Sequence, residues 1–195
     1  MHLESVFPTV IGFNHCPFFN EIKDDYISII KDIPKTTKEG DIYYQFHKDN
    51  RFSKLNNWIT ESVNDYTIKH KYPDNYLPGE SWAIDYNEGY GQSFHAHTGW
   101  VVSTIFYLQS DENEANTIFR SPYYNDMQNP LGLGPKNSTD VNFYNEYTYR
   151  TYQVKPTEGL LLVFRSYLEH AAEEKRSKKV NRIVMSYNFQ KEKYI

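Results

Sequence analysis

The chain has 195 residues and a formal net charge of −4, from 21 basic and 25 acidic side chains. A chain of this length can bury a core of its own, and we expect one domain over residues 1–195. The negative balance argues against nucleic-acid binding, and Cys16, as the single cysteine, excludes an internal disulfide. Neither a signal peptide nor a membrane-spanning run is visible, so we expect a cytoplasmic protein without membrane contact.

The first third of the chain predicts one strand and two helices. The apolar run from Ser5 to Phe13 indicates a strand, and Pro8 within it favours an edge position. Apolar residues recur at intervals of three and four from Asn20 to Ile33, and again from Arg51 to Lys69. Both segments are therefore predicted to be amphipathic helices, the first capped near Asn20, within a helical support over about residues 14–72.

From residue 80 onward the composition favours strands, because β-branched and aromatic side chains dominate. The predicted strands are Trp82–Asn87, Ser93–Gln109, Thr117–Arg120, Thr148–Lys155, Leu160–Phe164 and Val180–Phe189. A turn-rich break from Pro73 to Gly79 precedes them. Helices followed by many short strands predict a mainly β fold, a sheet sandwich braced by the N-terminal helices, with its core at about residues 80–190.

Three histidines form a candidate metal site. His95 and His97 are two residues apart, so in a strand their side chains project from the same face. His170 follows the buried strand Leu160–Phe164, where the chain must turn back, and a third imidazole there could complete a metal face with open positions. A pair of hydrogen-bonded histidines on a half-buried face would give the same pattern, so spacing alone leaves both interpretations open.

Arg182 and Ser186 share one face of the last predicted strand, because side chains alternate along it. A guanidinium and a hydroxyl together can anchor a carboxylate through charge-assisted hydrogen bonds. A surface salt bridge at Arg182 is the alternative, and the pattern does not separate the two.

Three ordered blocks resemble the superfamily of 2-oxoglutarate- and Fe(II)-dependent oxygenases. The blocks are His95–Leu108, Glu158–His170 and Arg182–Phe189, and the resemblance is greatest to a prolyl-hydroxylase-like group frequent in phages and marine bacteria. It implies a double-stranded β-helix, or jelly-roll, core over about Trp82 to Phe189. It also implies two cofactors, Fe(II) and the cosubstrate 2-oxoglutarate, and, for a phage protein, a location in the host cytoplasm.

By position, the resemblance makes His95 and His170 iron ligands and Arg182 the partner of the distal carboxylate of 2-oxoglutarate. Ser186 and Tyr107 become donors to that carboxylate, and Tyr86 lines the pocket. The chain departs from the superfamily at His97, where Asp or Glu is usual, and at Arg165, where the nearest group has Pro. We keep His97 as a metal ligand, although three imidazoles could alter the metal preference, towards zinc for example, or inactivate the site.

The implied reaction is hydroxylation of a C–H bond by O2, with decarboxylation of 2-oxoglutarate to succinate. By analogy with the family, the substrate is a peptidyl residue such as proline. The loop from Pro122 to Phe143, with Trp100, Tyr123 and Tyr124, is the candidate for substrate contact. Two alternatives stay open. One is a three-histidine, cupin-like dioxygenase that needs no 2-oxoglutarate. The other is a non-catalytic jelly-roll module with a binding or structural role.

Overall fold

Strands in two antiparallel sheets make up most of the protein. The computed structural model describes residues 2, 8–72, 75–111, 114–123, 150–176 and 178–192. In these residues the strands are β1 (Ile11–His15), β2 (Asp41–Ile42), β3 (Tyr76–Asp85), β4 (Gln92–His95), β5 (Val102–Gln109), β6 (Thr117–Arg120), β7 (Thr151–Val154), β8 (Leu160–Arg165), β9 (His170–Ala172) and β10 (Ile183–Lys191). The helices are α1 (Phe19–Asp32) and α2 (Ser53–Lys69), with short 3-10 turns at Phe46–Lys48 and Asn50–Phe52.

The larger sheet has the strand order β1-β8-β5-β10-β3-β2, and the smaller has the order β4-β9-β6-β7. The two sheets enclose a core to which strands of both contribute, including Phe119 from β6, Leu162 and Phe164 from β8 and Val184 from β10. This sandwich confirms the prediction of a mainly β fold with flanking helices. The edge position predicted for the first strand is also confirmed, since β1 pairs only with β8 among the described strands.

Both helices cover the outer face of the larger sheet. Strand β10 shows why, because its side chains alternate between two environments. Ile183, Met185 and Tyr187 belong to the core that includes the buried faces of α1 and α2, and the Tyr187 hydroxyl donates a 2.9 Å hydrogen bond to Asn56 Oδ1 of α2. Val184 and Ser186 face the smaller sheet instead. None of the helices in the described ranges is long and apolar enough to cross a membrane.

The segment predicted as one strand from Ser93 to Gln109 is two strands in different sheets. β4 ends at His95, and β5 begins at Val102 after a turn that includes Gly99, whose φ is +90°. The alternating pattern continued through this turn, so it gave no sign of the break. Strands β2 and β9 were not predicted, because strands of two and three residues carry almost no pattern of their own.

The turn-rich break predicted from Pro73 to Gly79 is wrong for its second half, because β3 already begins at Tyr76. The register against β10 shifts by one residue between Glu80 and Pro78, which leaves Gly79 as a bulge. A Cβ atom on Gly79 would lie 2.7 Å from the ring of Trp100, so a larger residue there would have to displace that ring. Gly and Pro thus mark an irregularity inside a strand rather than a loop.

The helix predictions hold to within two residues at each end, but α1 begins at Phe19 and has no side-chain cap near Asn20. Cys16 is a buried free thiol. The candidate substrate loop from Pro122 to Phe143 lies outside the described residues beyond Tyr123, as does Tyr124.

Candidate metal centre and cosubstrate pocket

His95 and His170 are direct cross-strand neighbours in the smaller sheet. His95 is the last residue of β4 and His170 is the first of β9, and their Cα atoms are paired in the strand register. Paired residues on one face of a sheet have side chains in contact, and the two ring centroids lie 4.4 Å apart. Two imidazoles distant in sequence are therefore brought together by a single register.

Gly91 permits this pairing at the start of β4. A Cβ atom at that position would lie 2.4 Å from the carbonyl oxygen of Ala172, so a larger residue would push β4 away from β9.

His97 reaches the same place from the loop after β4, not from the strand itself. Its backbone N–H donates a 2.9 Å hydrogen bond to the carbonyl of Ser166, which ties the loop to the end of β8. Its ring lies 5.2 Å from the ring of His95, 5.1 Å from that of His170 and 5.4 Å from that of Trp82. The same-face argument for His95 and His97 was thus right in outcome, although the backbone at His97 is not a strand.

One ring nitrogen from each of His95, His97 and His170 lies within 4.8 Å of the others. Hydrogen bonds select which nitrogen this is for two of the rings. Nδ1 of His95 lies 2.8 Å from the Ser93 carbonyl, and Nδ1 of His170 lies 3.0 Å from the Leu168 carbonyl. A carbonyl only accepts, so Nδ1 carries the proton and Nε2 keeps its lone pair for a metal.

Burial keeps two of these imidazoles neutral. Desolvation, reinforced by the neighbouring His95, lowers the pKa of His97 to about 4. Desolvation likewise lowers the pKa of His170 to about 3, again with a contribution from His95. Both rings are therefore unprotonated at neutral pH, as a metal ligand must be.

A cleft that opens to solvent connects the histidine cluster to Arg182. It lies between the two sheets, and both sheets line it. The described residues that line it include every residue predicted to bind the metal or 2-oxoglutarate: Tyr86, His95, His97, Tyr107, His170, Arg182 and Ser186. Trp82, Gln92 and Thr117 also line it and were not anticipated.

Arg182, the residue before β10, lines the cavity and is buried, with 2% of its surface exposed. Its two terminal nitrogens donate to backbone carbonyls, at 3.0 Å to Ala115 and 2.8 Å to Glu173. The guanidinium carbon lies 4.0 Å from the centre of the Tyr86 ring, a cation–π contact. The surface salt bridge considered as the alternative is therefore wrong, and the guanidinium is fixed in the pocket.

Hydroxyl groups surround this guanidinium. Tyr107 donates a 2.7 Å hydrogen bond to Thr117 Oγ1, and Tyr86 donates at 3.2 Å to Gln92 Oε1. Burial raises the pKa of Tyr86 to about 12 and raises the pKa of Tyr107 as well, so both phenols keep their protons. Ser186 adds a third buried hydroxyl from β10. The pocket thus offers one cation and the Ser186 hydroxyl, with two phenols that can donate to a carboxylate if their hydroxyls turn away from Thr117 and Gln92.

Two residues singled out from the sequence lie elsewhere. Trp100 packs against Gly79 of β3 and is not among the described residues that line the cavity. Arg165 donates a hydrogen bond to the Tyr72 hydroxyl and stacks on that ring, also away from the lining. Arg165, which stands where the nearest group has proline, therefore does not contribute to the lining of the pocket.

A family model described as "Putative 2OG-Fe(II) oxygenase" matches residues 80–188, more than half of the chain. The chain belongs to this family of 2-oxoglutarate- and Fe(II)-dependent oxygenases. The oxygenase uses Fe(II) and 2-oxoglutarate, which confirms the resemblance seen in the sequence and its two cofactors. No curated protein sequence is significantly similar to it.

Solved structures of oxygenases share its jelly-roll fold. HygX from Streptomyces hygroscopicus, with nickel, 2-oxoglutarate and hygromycin B bound, is 10% identical with a TM-score of 0.65, over 94% of this chain and 84% of that one. A prolyl-4-hydroxylase from Pseudomonas putida is 11% identical with a TM-score of 0.60, over 94% and 93%. A prolyl hydroxylase from Trichoplax adhaerens, in complex with a peptide of a hypoxia inducible factor, is 14% identical with a TM-score of 0.59, over 94% and 84%.

The histidine cluster suits the metal that this family uses. Neutral imidazole nitrogen is a good ligand for Fe(II), and the two Nδ1–H bonds to carbonyls fix the rings as metal-bound histidines are usually fixed. All three side chains approach from the smaller sheet and its adjoining loop, so the side facing the cavity stays open for a bidentate cosubstrate.

Proposed function

We propose that this oxygenase hydroxylates a C–H bond of a peptidyl residue and that one pocket holds both of its cofactors. In this proposal Fe(II) is bound by His95, His97 and His170, and 2-oxoglutarate is held by Arg182, Ser186, Tyr107 and Tyr86. The observation that carries the proposal is the shared cavity, which has three imidazoles at one part and a buried guanidinium at another.

Iron bound at the three imidazoles supplies O2 activation coupled to decarboxylation of 2-oxoglutarate to succinate. The side chains supply binding and orientation. Arg182 binds the distal carboxylate, and because its terminal nitrogens already rest on two carbonyls, its position costs no ordering when the cosubstrate enters. Ser186 donates a hydrogen bond to the same carboxylate, and the two phenols do so once their hydroxyls turn from Thr117 and Gln92. The apolar walls of Ile84, Ile105 and Val184 exclude water from this part of the pocket.

The structural likeness to two prolyl hydroxylases, one of them solved with a peptide, supports a peptidyl substrate. The likeness to HygX, solved with hygromycin B, makes a small molecule the competing substrate class. The two substrate classes are separated by measuring succinate release with a panel of proline-containing peptides and a panel of small polyols and sugars. Stimulation by a peptide supports the proposal, whereas stimulation only by small polyols or sugars contradicts it.

The pocket is tested anaerobically by adding Fe(II) and then 2-oxoglutarate to metal-free protein while the visible spectrum is recorded. Chelation of Fe(II) by the 2-oxo acid gives a weak charge-transfer band, which we expect for the wild type. Arg182→Met should bind Fe(II) normally but require at least about 30-fold more 2-oxoglutarate, because a buried charge partner is lost. Retained affinity in this variant would remove Arg182 from the assignment.

Two other results favour the alternatives. Fe(II) binding without the band, at any concentration of 2-oxoglutarate, favours a three-histidine dioxygenase that needs no 2-oxo acid. Failure to bind any metal favours a non-catalytic module.

A further inference from the structure

A buried carboxylate lies beside the guanidinium that faces the pocket. Glu114 Oε1 is 3.9 Å from a terminal nitrogen of Arg182, and the two side chains are 0% and 2% exposed. Glu114 is in the turn before β6, and no motif in the sequence pointed to it. It does not line the cavity itself but stands behind the guanidinium.

The position of Glu114 and that of Arg182 are fixed separately. Glu114 Oε1 accepts hydrogen bonds from the backbone N–H groups of Ala115, at 2.8 Å, and Arg176, at 2.9 Å. Its Oε2 has no hydrogen-bond partner among the described residues. Arg182 rests on two backbone carbonyls and on the Tyr86 ring. The carboxylate is therefore not needed to aim the guanidinium, and what it adds to the pocket is negative charge.

Charge balance shows why that matters. Among the described residues that line the cavity, Arg182 carries the only formal charge once the histidines are neutral. Three imidazoles leave the full dipositive charge on a bound metal, which a dianion such as 2-oxoglutarate cancels by itself. The guanidinium would then remain as one uncompensated positive charge in a poorly solvated pocket. Glu114 cancels it.

We propose that Glu114 is a positioning residue for charge, which acts through Arg182 and lowers the affinity of the pocket for dicarboxylates to a level compatible with turnover. The inference rests on the proposed function of the same pocket. Succinate keeps the distal carboxylate of 2-oxoglutarate. A guanidinium without a counter-charge would therefore bind the product strongly through the same contact and slow its release. Glu114 thus allows succinate to leave.

Glu114→Gln tests this, because its amide oxygen can accept the same two backbone N–H groups while the charge is removed. Binding is measured by calorimetry on the anaerobic Fe(II) protein with 2-oxoglutarate, succinate and 2-oxopentanoate. We expect the dissociation constants of the two dicarboxylates to fall about tenfold and that of 2-oxopentanoate, which lacks the distal carboxylate, to fall less than about twofold. The kcat with saturating 2-oxoglutarate should fall as succinate release slows.

Two further variants separate charge from structure. Glu88→Gln removes an exposed carboxylate that pairs with the exposed Lys178, at 3.1 Å, and should leave all three dissociation constants unchanged. Glu114→Asp keeps the charge and should stay within about threefold of the wild type, whereas a structural role would make shortening the side chain as harmful as neutralising it.

The inference is overturned if the wild type binds 2-oxoglutarate and Glu114→Gln binds the dicarboxylates equally well or more weakly. It is also overturned if 2-oxopentanoate gains as much as 2-oxoglutarate. A wild type that binds Fe(II) but no 2-oxoglutarate contradicts the proposed function instead, so the two failures are distinct. Thermal unfolding gives a second readout, because a lone buried guanidinium should make Glu114→Gln less stable than the wild type and more strongly stabilised by succinate.

Discussion

In the proposed metal centre, His97 determines the charge that a bound Fe(II) keeps. A carboxylate at this position would leave one positive charge on an Fe(II) unit, while a neutral imidazole leaves two. The imidazole is held in place by the hydrogen bond from its backbone to Ser166 and by the ring of Trp82, and burial keeps it unprotonated. A more positive metal attracts a dianionic cosubstrate more strongly. This agrees with the negative charge of Glu114 behind Arg182, which would offset part of that attraction.

Substitutions of His97 test its role as a ligand. His97→Ala removes one of three donors, and we expect Fe(II) affinity to fall at least about 100-fold. His97→Asp restores a donor with negative charge, so it should bind Fe(II) much better than the alanine variant but hold 2-oxoglutarate about tenfold more weakly than the wild type. Metal content after dialysis and anaerobic titration measure the two effects. Fe(II) affinity unchanged in His97→Ala would show that this ring is not a ligand.

Elements with a strong local pattern were predictable, and those defined by pairing were not. The two helices and the two-faced β10 follow from residue spacing, which also placed Arg182 and Ser186 on the pocket side. The pairing of His95 with His170 depends on the register of β4 against β9, and β9 has only three residues. Glu114 was missed for the same reason, since its contact with Arg182 joins two segments that no periodicity connects.

Helix α2 supports the larger sheet from outside and should affect stability rather than binding. Ile59 is fully buried in the core between the helices and the sheet, and Ile68 on the same helix is 65% exposed. Ile59→Ala should lower the free energy of unfolding by about 2–5 kcal/mol through the cavity it creates. Ile68→Ala, the matched control, should change it by less than about 0.5 kcal/mol.

Urea unfolding measures both changes, and the affinity of the folded Ile59→Ala protein for 2-oxoglutarate should equal that of the wild type. A weakened affinity would mean that the helix layer shapes the pocket as well as the sheet.

At the level of the whole molecule, the two proposed cofactor sites belong to different sheets. The three histidines come from β4, β9 and the loop of the smaller sheet, while Ser186 and Tyr107 come from β10 and β5 of the larger one. A metal ion chelated by a 2-oxo acid whose distal carboxylate rests on Arg182 would therefore connect the two sheets. Each cofactor should stabilise the fold, and the second should depend on the first.

Thermal unfolding tests this linkage. A ligand that binds only the folded state at 100 times its dissociation constant adds about 2.7 kcal/mol, which for a chain of this size raises Tm by roughly 5–10 °C. We expect Fe(II) or Mn(II) to raise the Tm of metal-free protein, 2-oxoglutarate to raise it further, and a chelator to reverse both shifts. His170→Ala should lose both shifts, and His15→Ala, which alters an exposed histidine of β1, should keep them. An equal shift from 2-oxoglutarate without metal would contradict a cosubstrate site that depends on the histidine cluster, because the dianion would then be held by Arg182 and its neighbours alone.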